Sequence, residues 1–304
     1  MAAAATGFRA GEIDHRSVGI GWYDGENAGC RQLQDREKKG WLLGSHRDVC
    51  MTTEKKIGQI RQELQAAEDT SLPFFITEYG ADGRAGVQKL VEQAKKRLKK
   101  LEDEKKRIYA LREYERKYPD AAFICGIDEV GRGPLAGPVV AGAVILPKDC
   151  EILYINDSKK LSAAKREELY DVIMEQAVAV GLGQSSPQRI DEINILQATY
   201  EAMRQAINNL GVTPDILLND AVTIPQVDIL QVPIIKGDAK SISIGAASII
   251  AKVTRDRMMV DYDRVYPGYA FAENKGYGSA AHIAAIKELG PTPIHRQSFI
   301  KNFV

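Results

Sequence analysis

Three features are missing from this sequence, and each absence argues against a class of protein. No run of eighteen apolar residues occurs, so no transmembrane helix is predicted. The alanine-rich start, Met1 to Ala5, lacks the basic and long apolar regions of a secretory signal peptide. The four cysteines show no Cys-x-x-Cys spacing and no histidines cluster near them, so neither a zinc site nor a disulfide framework is indicated. We therefore expect a soluble, cytoplasmic monomer with reduced thiols and no membrane partner.

A net charge is also missing. The 41 basic and 41 acidic side chains cancel at pH 7, which argues against indiscriminate binding to nucleic acid. Any such binding must then come from local basic patches. With 304 residues, of which 44% are hydrophobic, the chain has enough apolar surface for one medium-sized globular domain with additions.

Residues 1–50 differ from the remainder of the chain. They are glycine-rich, contain both tryptophans and two of the four cysteines, and show no sustained helical or strand periodicity. Either this segment is an unstructured tail, or Met51 is the true initiator and the preceding residues are a spurious upstream extension. We favour the second interpretation, because a helical pattern follows Met51 almost at once.

Residues 51–118 are predicted to form a helical appendage of two or three helices. A short amphipathic helix is expected over 52–67. A later, long helix should end near Tyr118, because Pro119 disfavours helix in the residue before it. The apolar stripe of the long helix consists of Val87, Leu90, Val91, Ala94, Leu98, Leu101, Ile108 and Leu111.

The long helix also has a basic outer face. This face carries Lys95, Lys96, Arg97, Lys99, Lys100, Lys105, Lys106 and Arg107. One interpretation is a solvated surface whose charge is balanced by Glu102, Asp103 and Glu104. The other is an arm that follows the phosphates of a duplex and gains affinity from counterion release. The sequence leaves both open.

The centre of the chain contains two apolar strands separated by a polar turn. The first strand runs directly into Asp128 and Glu129, and Gly131, Arg132 and Gly133 follow before the second strand. Strand side chains alternate between the two faces of a sheet, so both carboxylates should reach one point only if the chain bends there. Two carboxylates beside free backbone N–H groups are suited to a divalent metal close to a phosphate.

Two more acids follow apolar strands in the domain predicted over 121–304. Asp220 comes shortly after the strand that begins at Ile216, and Asp238 follows a strand expected over 229–235. A strand hairpin and then alternating helices and strands predict an α/β fold, a mixed sheet flanked by helices. Such a sheet can gather its strand ends at one edge. The four acids are therefore expected to form an all-oxygen site for Mg²⁺ or Mn²⁺.

The segment from Gly126 to Val140, Gly-Ile-Asp-Glu-Val-Gly-Arg-Gly-Pro-Leu-Ala-Gly-Pro-Val-Val, resembles the signature of bacterial ribonuclease HII. The resemblance extends over 121–304 and implies a ribonuclease H-like fold. It also implies an endoribonuclease that hydrolyses the RNA strand of RNA/DNA hybrids and cuts 5′ of single ribonucleotides embedded in duplex DNA, so both nucleic acids are expected partners. One departure is Ala221, where the family usually has Gly, which makes the local turn less certain.

The resemblance assigns catalytic roles to the four acids. It implies that Asp128, Glu129 and Asp220 are the main metal ligands and that Asp238 completes the site. Two divalent ions held there would activate a water and stabilise the departing 3′ oxygen, which leaves 3′-hydroxyl and 5′-phosphate ends. His295 lies in a closing segment similar to that of the family, but a two-metal mechanism does not require a catalytic histidine.

The resemblance also implies how the substrate is selected. The turn Gly131-Arg132-Gly133 is expected to contact the ribose 2′-hydroxyl, the one group that separates RNA from DNA at a given position. Tyr277 is expected to pack against the deoxyribose that follows the ribonucleotide, where a 2′-hydroxyl would be crowded. Phosphate contacts are expected from three basic residues in segments similar to family motifs, Lys159, Lys252 and Arg255.

Three alternatives fit the sequence less well. Ribonuclease HIII typically has Lys in place of Arg132 and Glu in place of Asp238, so both positions favour ribonuclease HII. Exonucleases of the broader superfamily pair their first acids as Asp-x-Glu, whereas Asp128 and Glu129 are adjacent. A non-catalytic protein that only binds hybrids would be expected to have a broken set of acids, and this set is complete.

Overall fold

The computed structural model describes residues 55–302 and 304. The predictions about residues 1–50 and about initiation at Met51 lie outside the described residues. No helix in the described ranges is long and apolar enough to cross a membrane.

The amino-terminal part of the described chain is helical. It comprises α1 (Ile57–Ala66), α2 (Leu72–Tyr79), α3 (Ala85–Leu111) and α4 (Glu113–Arg116). The first part of the predicted apolar stripe of α3 packs on α1 and α2 in a small core that contains Ile60, Leu64, Leu72, Phe75, Val87, Leu90, Val91 and Ala94. The last two members of the stripe, Ile108 and Leu111, pack instead with residues that follow Ile124. The prediction that α3 continues to Tyr118 is wrong, since the helix ends at Leu111, where Arg112 leaves helical geometry (φ −90°, ψ 14°).

The remainder of the chain is built on one mixed sheet of five strands. These are β1 (Ile124–Val130), β2 (Val139–Ile145), β3 (Ala179–Ser185), β4 (Ile216–Asp220) and β5 (Leu230–Ile234), in the spatial order β3-β2-β1-β4-β5. The β1–β2 and β2–β3 pairs are antiparallel, whereas β4 is parallel to both β1 and β5. The carboxyl ends of β1, β4 and β5 therefore lie at one edge of the sheet.

Helices cover both faces of this sheet. They are α5 (Ala163–Gln176), α6 (Pro187–Asn208), α7 (Ile242–Val265), α8 (Phe271–Asn274), α9 (Ala280–Leu289) and α10 (Gln297–Ile300). One face packs on α6 through Ala198, Ala202 and Ala206, and the other packs on α7 and α5 through a second apolar cluster. The result is the mixed α/β fold flanked by helices that the sequence predicted, with a helical region in front of it.

Helix α7 lies very close to the strand that carries the first two acids. A Cβ added to Gly126 would lie 2.0 Å from the carbonyl carbon of Ser243, so only glycine permits this contact between β1 and α7. Leu, Ile and Val side chains would force the two elements apart. The close approach places the first residues of α7 directly beside β1.

The predicted bend at Asp128 and Glu129 is wrong. Strand β1 keeps regular antiparallel pairing through both residues as far as Val130, which pairs with Val140. The chain turns only at Gly131, whose φ of +92° lies in the left-handed region that favours glycine. The side chains of Asp128 and Glu129 therefore leave the strand on opposite faces.

Candidate active site

The four predicted acids come from three neighbouring strand ends. Asp128 and Glu129 lie near the end of β1, and Asp220 is the last residue of the adjacent parallel strand β4. Asp238 lies in a short 3-10 turn after β5. The N–H of Gly237 donates a hydrogen bond of 2.7 Å to Asp220 Oδ1, so the turn that carries Asp238 is tied to the end of β4.

The electrostatics show that these carboxylates are mutual neighbours. Burial raises the pKa of Asp128 well above its usual value, and the charges of Glu129 and Asp220 raise it further. The pKa of Asp238 is also raised, first by burial and then by Asp157 and Asp220. Asp220 therefore lies within electrostatic reach of both Asp128 and Asp238 and links the two ends of the cluster.

Glu129 carries the clearest sign of an unmet polar requirement. Burial raises the pKa of its carboxyl group, while the nearby Arg132 guanidinium lowers it and Asp220 raises it again. One oxygen, Oε1, accepts a hydrogen bond of 3.2 Å from Arg132. The other oxygen, Oε2, is buried and has no hydrogen-bond partner. A buried carboxylate oxygen is costly unless it meets a donor or a cation.

These residues fit a divalent ion such as Mg²⁺ or Mn²⁺. All the candidate ligands are carboxylate oxygens, which hard cations prefer, and a cation would relieve the repulsion that raises the pKa of Asp128, Glu129 and Asp238. Among residues 55–302 and 304, no three side chains already surround a metal position. Two of the candidate ligands have present partners, which are Arg132 for Glu129 and the Gly237 N–H for Asp220.

Serine side chains support the cluster from α7. Ser248 hydrogen-bonds Asp128, which lowers the pKa of that carboxyl group against the effect of burial. The hydroxyl groups of Ser248 and Ser158 lie 2.9 Å apart, and both residues are buried. Ser158 begins the short 3-10 turn Ser158–Lys160. This pair of serines was not predicted from the sequence, because their contact joins residues 90 positions apart.

The turn after β1 is held by a buried arginine from the end of the chain. Arg296 is 0% exposed and donates hydrogen bonds to the carbonyl oxygens of Gly131 (2.5 Å), Arg132 (2.9 Å) and Gly137 (2.8 and 3.0 Å). Burial lowers its pKa to about 9. The carbonyl dipoles of the turn therefore take the place of a carboxylate partner. Nothing in the sequence indicated this role except that the closing segment resembles that of the family.

Arg255 does not lie where a phosphate contact was expected. It is also 0% exposed, and it donates to the carbonyl oxygens of Pro138 (2.9 Å), Ala136 (3.0 Å) and Lys275 (2.9 Å). Burial lowers its pKa to about 10. Each of its three guanidinium nitrogens donates to a backbone carbonyl oxygen, so Arg255 joins the turn after β1 to the loop that carries Tyr277.

Tyr277 lies beside the glycine turn. It is 44% exposed and belongs to the loop between α8 and α9. A Cβ added to Gly133 would lie 3.8 Å from Tyr277 Cε1, so the ring and the turn border the same space. The N–H of Leu135 also donates to the carbonyl oxygen of Gly276 at 2.8 Å. The structure thus brings together two of the predicted substrate contacts.

The two predicted lysines occupy different environments. The charge of Lys159 lowers the pKa of Asp238, so its ammonium group lies near the acids. Lys252 instead pairs with Asp256 at 2.7 Å, and burial lowers its pKa. Lys159 is therefore available to a phosphate at the site, whereas Lys252 already has an anionic partner.

The turn after Asp220 also shows the effect of the departure noted in the sequence. Ala221 has a φ of +57°, in the left-handed region where a Cβ is disfavoured. Its N–H donates to the carbonyl oxygen of Ile234 at 3.0 Å, which keeps the strand ends together. The turn that glycine would favour is thus formed by alanine at some cost in strain.

A set of carboxylates at the strand ends of such a sheet is the arrangement expected of a divalent-metal-dependent nuclease with a ribonuclease H-like fold. Comparison with known proteins places it more closely. The family model for Ribonuclease HII matches residues 125–302, and a model for the Ribonuclease HII N-terminal domain matches residues 56–119. The chain belongs to the ribonuclease HII family.

Individual relatives agree with this assignment. Ribonuclease HII of Lachnoclostridium phytofermentans is 68% identical over 247 residues, which cover 81% of this chain and 97% of the relative. Ribonuclease HII of Bacillus subtilis is 52% identical over 245 residues, 80% of this chain and 95% of the relative. Among solved structures, ribonuclease H2 of Pyrococcus horikoshii aligns with a TM-score of 0.50 and 27% identity, over 60% of this chain and 96% of that one.

Family membership has direct consequences for function. The chain is a ribonuclease H enzyme, which acts on RNA/DNA hybrids and depends on divalent metal ions. The alternative of a non-catalytic hybrid-binding protein is therefore not needed. The relatives named here are ribonuclease HII rather than ribonuclease HIII, as Arg132 and Asp238 suggested.

Proposed function

We propose that this enzyme hydrolyses the RNA strand of RNA/DNA hybrids and also cuts 5′ of a single ribonucleotide embedded in duplex DNA. The observation that carries the proposal is the position of the Tyr277 ring beside Gly133, where an added Cβ would lie 3.8 Å from it, directly after the strand that bears Asp128 and Glu129. A backbone turn that admits a ribose and a ring that meets the next sugar are together suited to an RNA-to-DNA junction.

In the proposed mechanism, Asp128, Glu129 and Asp220 hold the divalent ions and Asp238 completes the site. When bound, Mg²⁺ or Mn²⁺ would supply an activated water and charge stabilisation for the leaving 3′ oxygen. The four acids would hold the ions at the strand ends beside the scissile phosphate. Lys159 adds a positive charge beside Asp238 for the phosphate. Cleavage leaves 3′-hydroxyl and 5′-phosphate ends.

Arg132 has a second partner available on the substrate side. Its side chain is 45% exposed and its only ion pair in the described chain is with Glu129. Binding of a metal by Glu129 would release the guanidinium group, which can then donate to the phosphate next to the ribonucleotide. Meanwhile Arg296 keeps the carbonyl groups of Gly131 and Arg132 in place. The side chain of Arg132 can thus move while the turn stays rigid.

Substrate choice in this proposal depends on two adjoining surfaces. The turn at Gly131, Arg132 and Gly133 contacts the 2′-hydroxyl of the ribonucleotide through its backbone groups. Tyr277 packs on the deoxyribose that follows, where a second 2′-hydroxyl would crowd the ring. The enzyme should therefore accept hybrids but favour a junction at which DNA follows RNA.

The test is to offer the purified enzyme a DNA duplex that contains one ribonucleotide and to map the cut separately with Mg²⁺ and Mn²⁺. One incision 5′ of the ribonucleotide with a 3′-hydroxyl end is expected, and an all-DNA duplex of the same sequence should stay intact. Cleavage of a full hybrid without cleavage at the lone ribonucleotide would contradict the junction proposal and leave the ribonuclease H activity in place.

A further inference from the structure

Two buried histidines face each other behind the Tyr277 loop, outside the carboxylate site. His282 on α9 is 0% exposed, and His295, which follows α9 in the chain, is 2% exposed. Their Nε2 atoms lie 3.0 Å apart. Each ring has its other nitrogen in a hydrogen bond, so neither histidine is merely packing.

The direction of every hydrogen bond in this group follows from its two ends. The backbone N–H of Thr292 can only donate, so His295 Nδ1, at 2.8 Å, must accept. The Thr292 hydroxyl oxygen also lies 2.8 Å from this nitrogen, so its O–H donates there as well. At the other end, the carbonyl oxygen of Tyr277 can only accept, so His282 Nδ1, at 2.8 Å, must donate. One proton is then left for the contact between the rings, and it lies on Nε2 of His295.

This chain of hydrogen bonds can form only if both histidine rings are neutral and hold opposite tautomers. Protonation of His295 would place a second donor against the Thr292 N–H, and protonation of His282 would set two Nε2–H groups against each other. Burial lowers the pKa of His295 to about 4 and also lowers that of His282. The rings pack against Tyr269 and Phe271, which are stacked on each other with centroids 5.4 Å apart.

The acceptor at the end of this chain belongs to Tyr277. The same loop is fixed on its other side, because the Tyr277 N–H donates to the carbonyl oxygen of Asn274 (2.9 Å) and the Gly276 N–H donates to Asn274 Oδ1 (2.7 Å). His282 thus supplies the hydrogen bond that fixes the peptide unit after Cα of Tyr277. A shift of that unit would move the ring away from Gly133.

We propose that His282 and His295 are positioning residues for sugar selection, because their one-way hydrogen-bond chain from Thr292 fixes Tyr277 beside the glycine turn. This inference rests on the proposed role of Tyr277 against the deoxyribose. It assigns no proton transfer to the histidines. They act only through the orientation of Tyr277.

The first test compares two substitutions of similar shape. His282→Asn can still donate to the Tyr277 carbonyl, whereas His282→Leu cannot. For each variant, kcat/KM is measured on a duplex with one ribonucleotide and on a full hybrid. His282→Leu should lower the ratio of the two values about three- to tenfold, the effect of one lost hydrogen bond. His282→Asn should keep the ratio close to that of the wild-type enzyme.

A matched control separates positioning from general stability. Tyr269→Phe removes the hydrogen bond of 2.6 Å from Tyr269 to the Gly290 carbonyl in the same cluster, without touching Tyr277. It should lower the melting temperature and leave the substrate ratio unchanged. An equal change of ratio in Tyr269→Phe and His282→Leu would overturn the proposal, and so would an unchanged ratio in His282→Leu.

The variant Tyr277→Ala separates the proposed role of Tyr277 from the proposed role of the two histidines. If Tyr277→Ala lowers the ratio while His282→Leu does not, the positioning chain alone is wrong. If Tyr277→Ala leaves the ratio unchanged, the proposed role of Tyr277 and the inference built on it both fail.

A second measurement needs no variant. The full chain contains four histidines, so ¹⁵N-histidine labelling gives a small set of ring signals. The wild-type protein should show one ring with its proton on Nδ1 and one with its proton on Nε2, both shielded from solvent exchange. Equal tautomers in the two buried rings would overturn the proposed chain.

Discussion

The helical region over 57–116 and the sheet region from Ile124 onward bury different kinds of side chain. Among the described residues before Ile124, every buried side chain is hydrophobic, and the charged groups lie at the surface or are only partly buried. The sheet region buries Asp128, Asp238, Arg255 and Arg296 together with several serines and two histidines. The first region can fold by local amphipathic patterns, whereas the second must also pair polar groups that are far apart in the chain.

Because of this difference, a polar residue affects the free energy of unfolding differently in the two regions. The surface pair Lys95–Glu92, with side chains 52% and 58% exposed, contributes at most about 1 kcal/mol to the free energy of unfolding. A buried carboxylate or guanidinium group makes folding less favourable unless partners surround it. The sheet region therefore accepts a loss of stability at the place where a metal and a substrate would supply the missing partners.

The largest expected effect comes from removal of one buried charge. Asp128→Asn removes a proposed metal ligand, so cleavage should fall by more than about a hundredfold, since changes in groups that only support a ligand already cost ten- to a hundredfold. The same substitution ends the repulsion with Glu129 and Asp220, so the melting temperature of the metal-free protein should rise. Activity assays and calorimetry measure the two effects.

Asp261→Asn is the matched control for that experiment. Asp261 lies on α7 with a side chain 71% exposed, paired with Arg264. Neither activity nor melting temperature should change appreciably. Added Mg²⁺ should stabilise the wild-type protein and the control more than Asp128→Asn, because only they keep the full ligand set. Full activity in Asp128→Asn would remove the basis of the proposed site.

The next largest effect is expected on the free energy of unfolding, when a buried arginine is compared with an exposed one. Arg296→Met leaves the carbonyl oxygens of Gly131, Arg132 and Gly137 without their donor, so we expect a loss of roughly 3 kcal/mol, about 1 for each carbonyl group. Arg189→Met removes an arginine that is 45% exposed and should cost less than about 1 kcal/mol. Urea unfolding curves give both values, and equal losses would mean that the buried arginine is not what stabilises the turn.

The sequence predicted local elements better than contacts between distant ones. The helix expected over 52–67 is present as Ile57–Ala66, and the strand expected over 229–235 is present as Leu230–Ile234. Strand β3 was not predicted. Its residues Gly181 and Gly183 have low strand propensity, but each leaves room for the backbone of α6, since a Cβ at either position would lie 2.0 Å from a carbonyl oxygen of that helix.

The same limit applies to the site. The four acids could be found in the sequence because each follows an apolar strand and the signature motif is local. The roles of Arg255 and Arg296 could not be found there, since their acceptors lie 117 to 165 positions away on the chain for the turn after β1. An arginine in a motif indicates a phosphate contact on average, and only the fold shows that its donors are already used.

The basic side chains on the outer face of α3 differ in whether they form ion pairs. Lys95, Arg97 and Arg107 have acidic partners, whereas Lys96 and Lys100 are exposed and form no ion pair among the described residues. These two lysines line a groove of about 390 Å³ together with Tyr154. Two exposed lysines without acidic partners in one groove favour the duplex-binding interpretation of this face.

The smallest expected effect tests that interpretation. Lys96→Gln with Lys100→Gln should weaken the binding of a long duplex a few-fold and lower the slope of log affinity against log salt by about 2, near 0.9 for each lost phosphate contact. Lys99→Gln with Lys106→Gln removes the same charge roughly 90° around the helix and should leave the slope unchanged. A duplex too short to reach beyond the active site should not distinguish the two double variants. Equal salt slopes for the two double variants on the long duplex would identify the basic face as solvated surface. The polar groups that act on the substrate would then all lie in the sheet region.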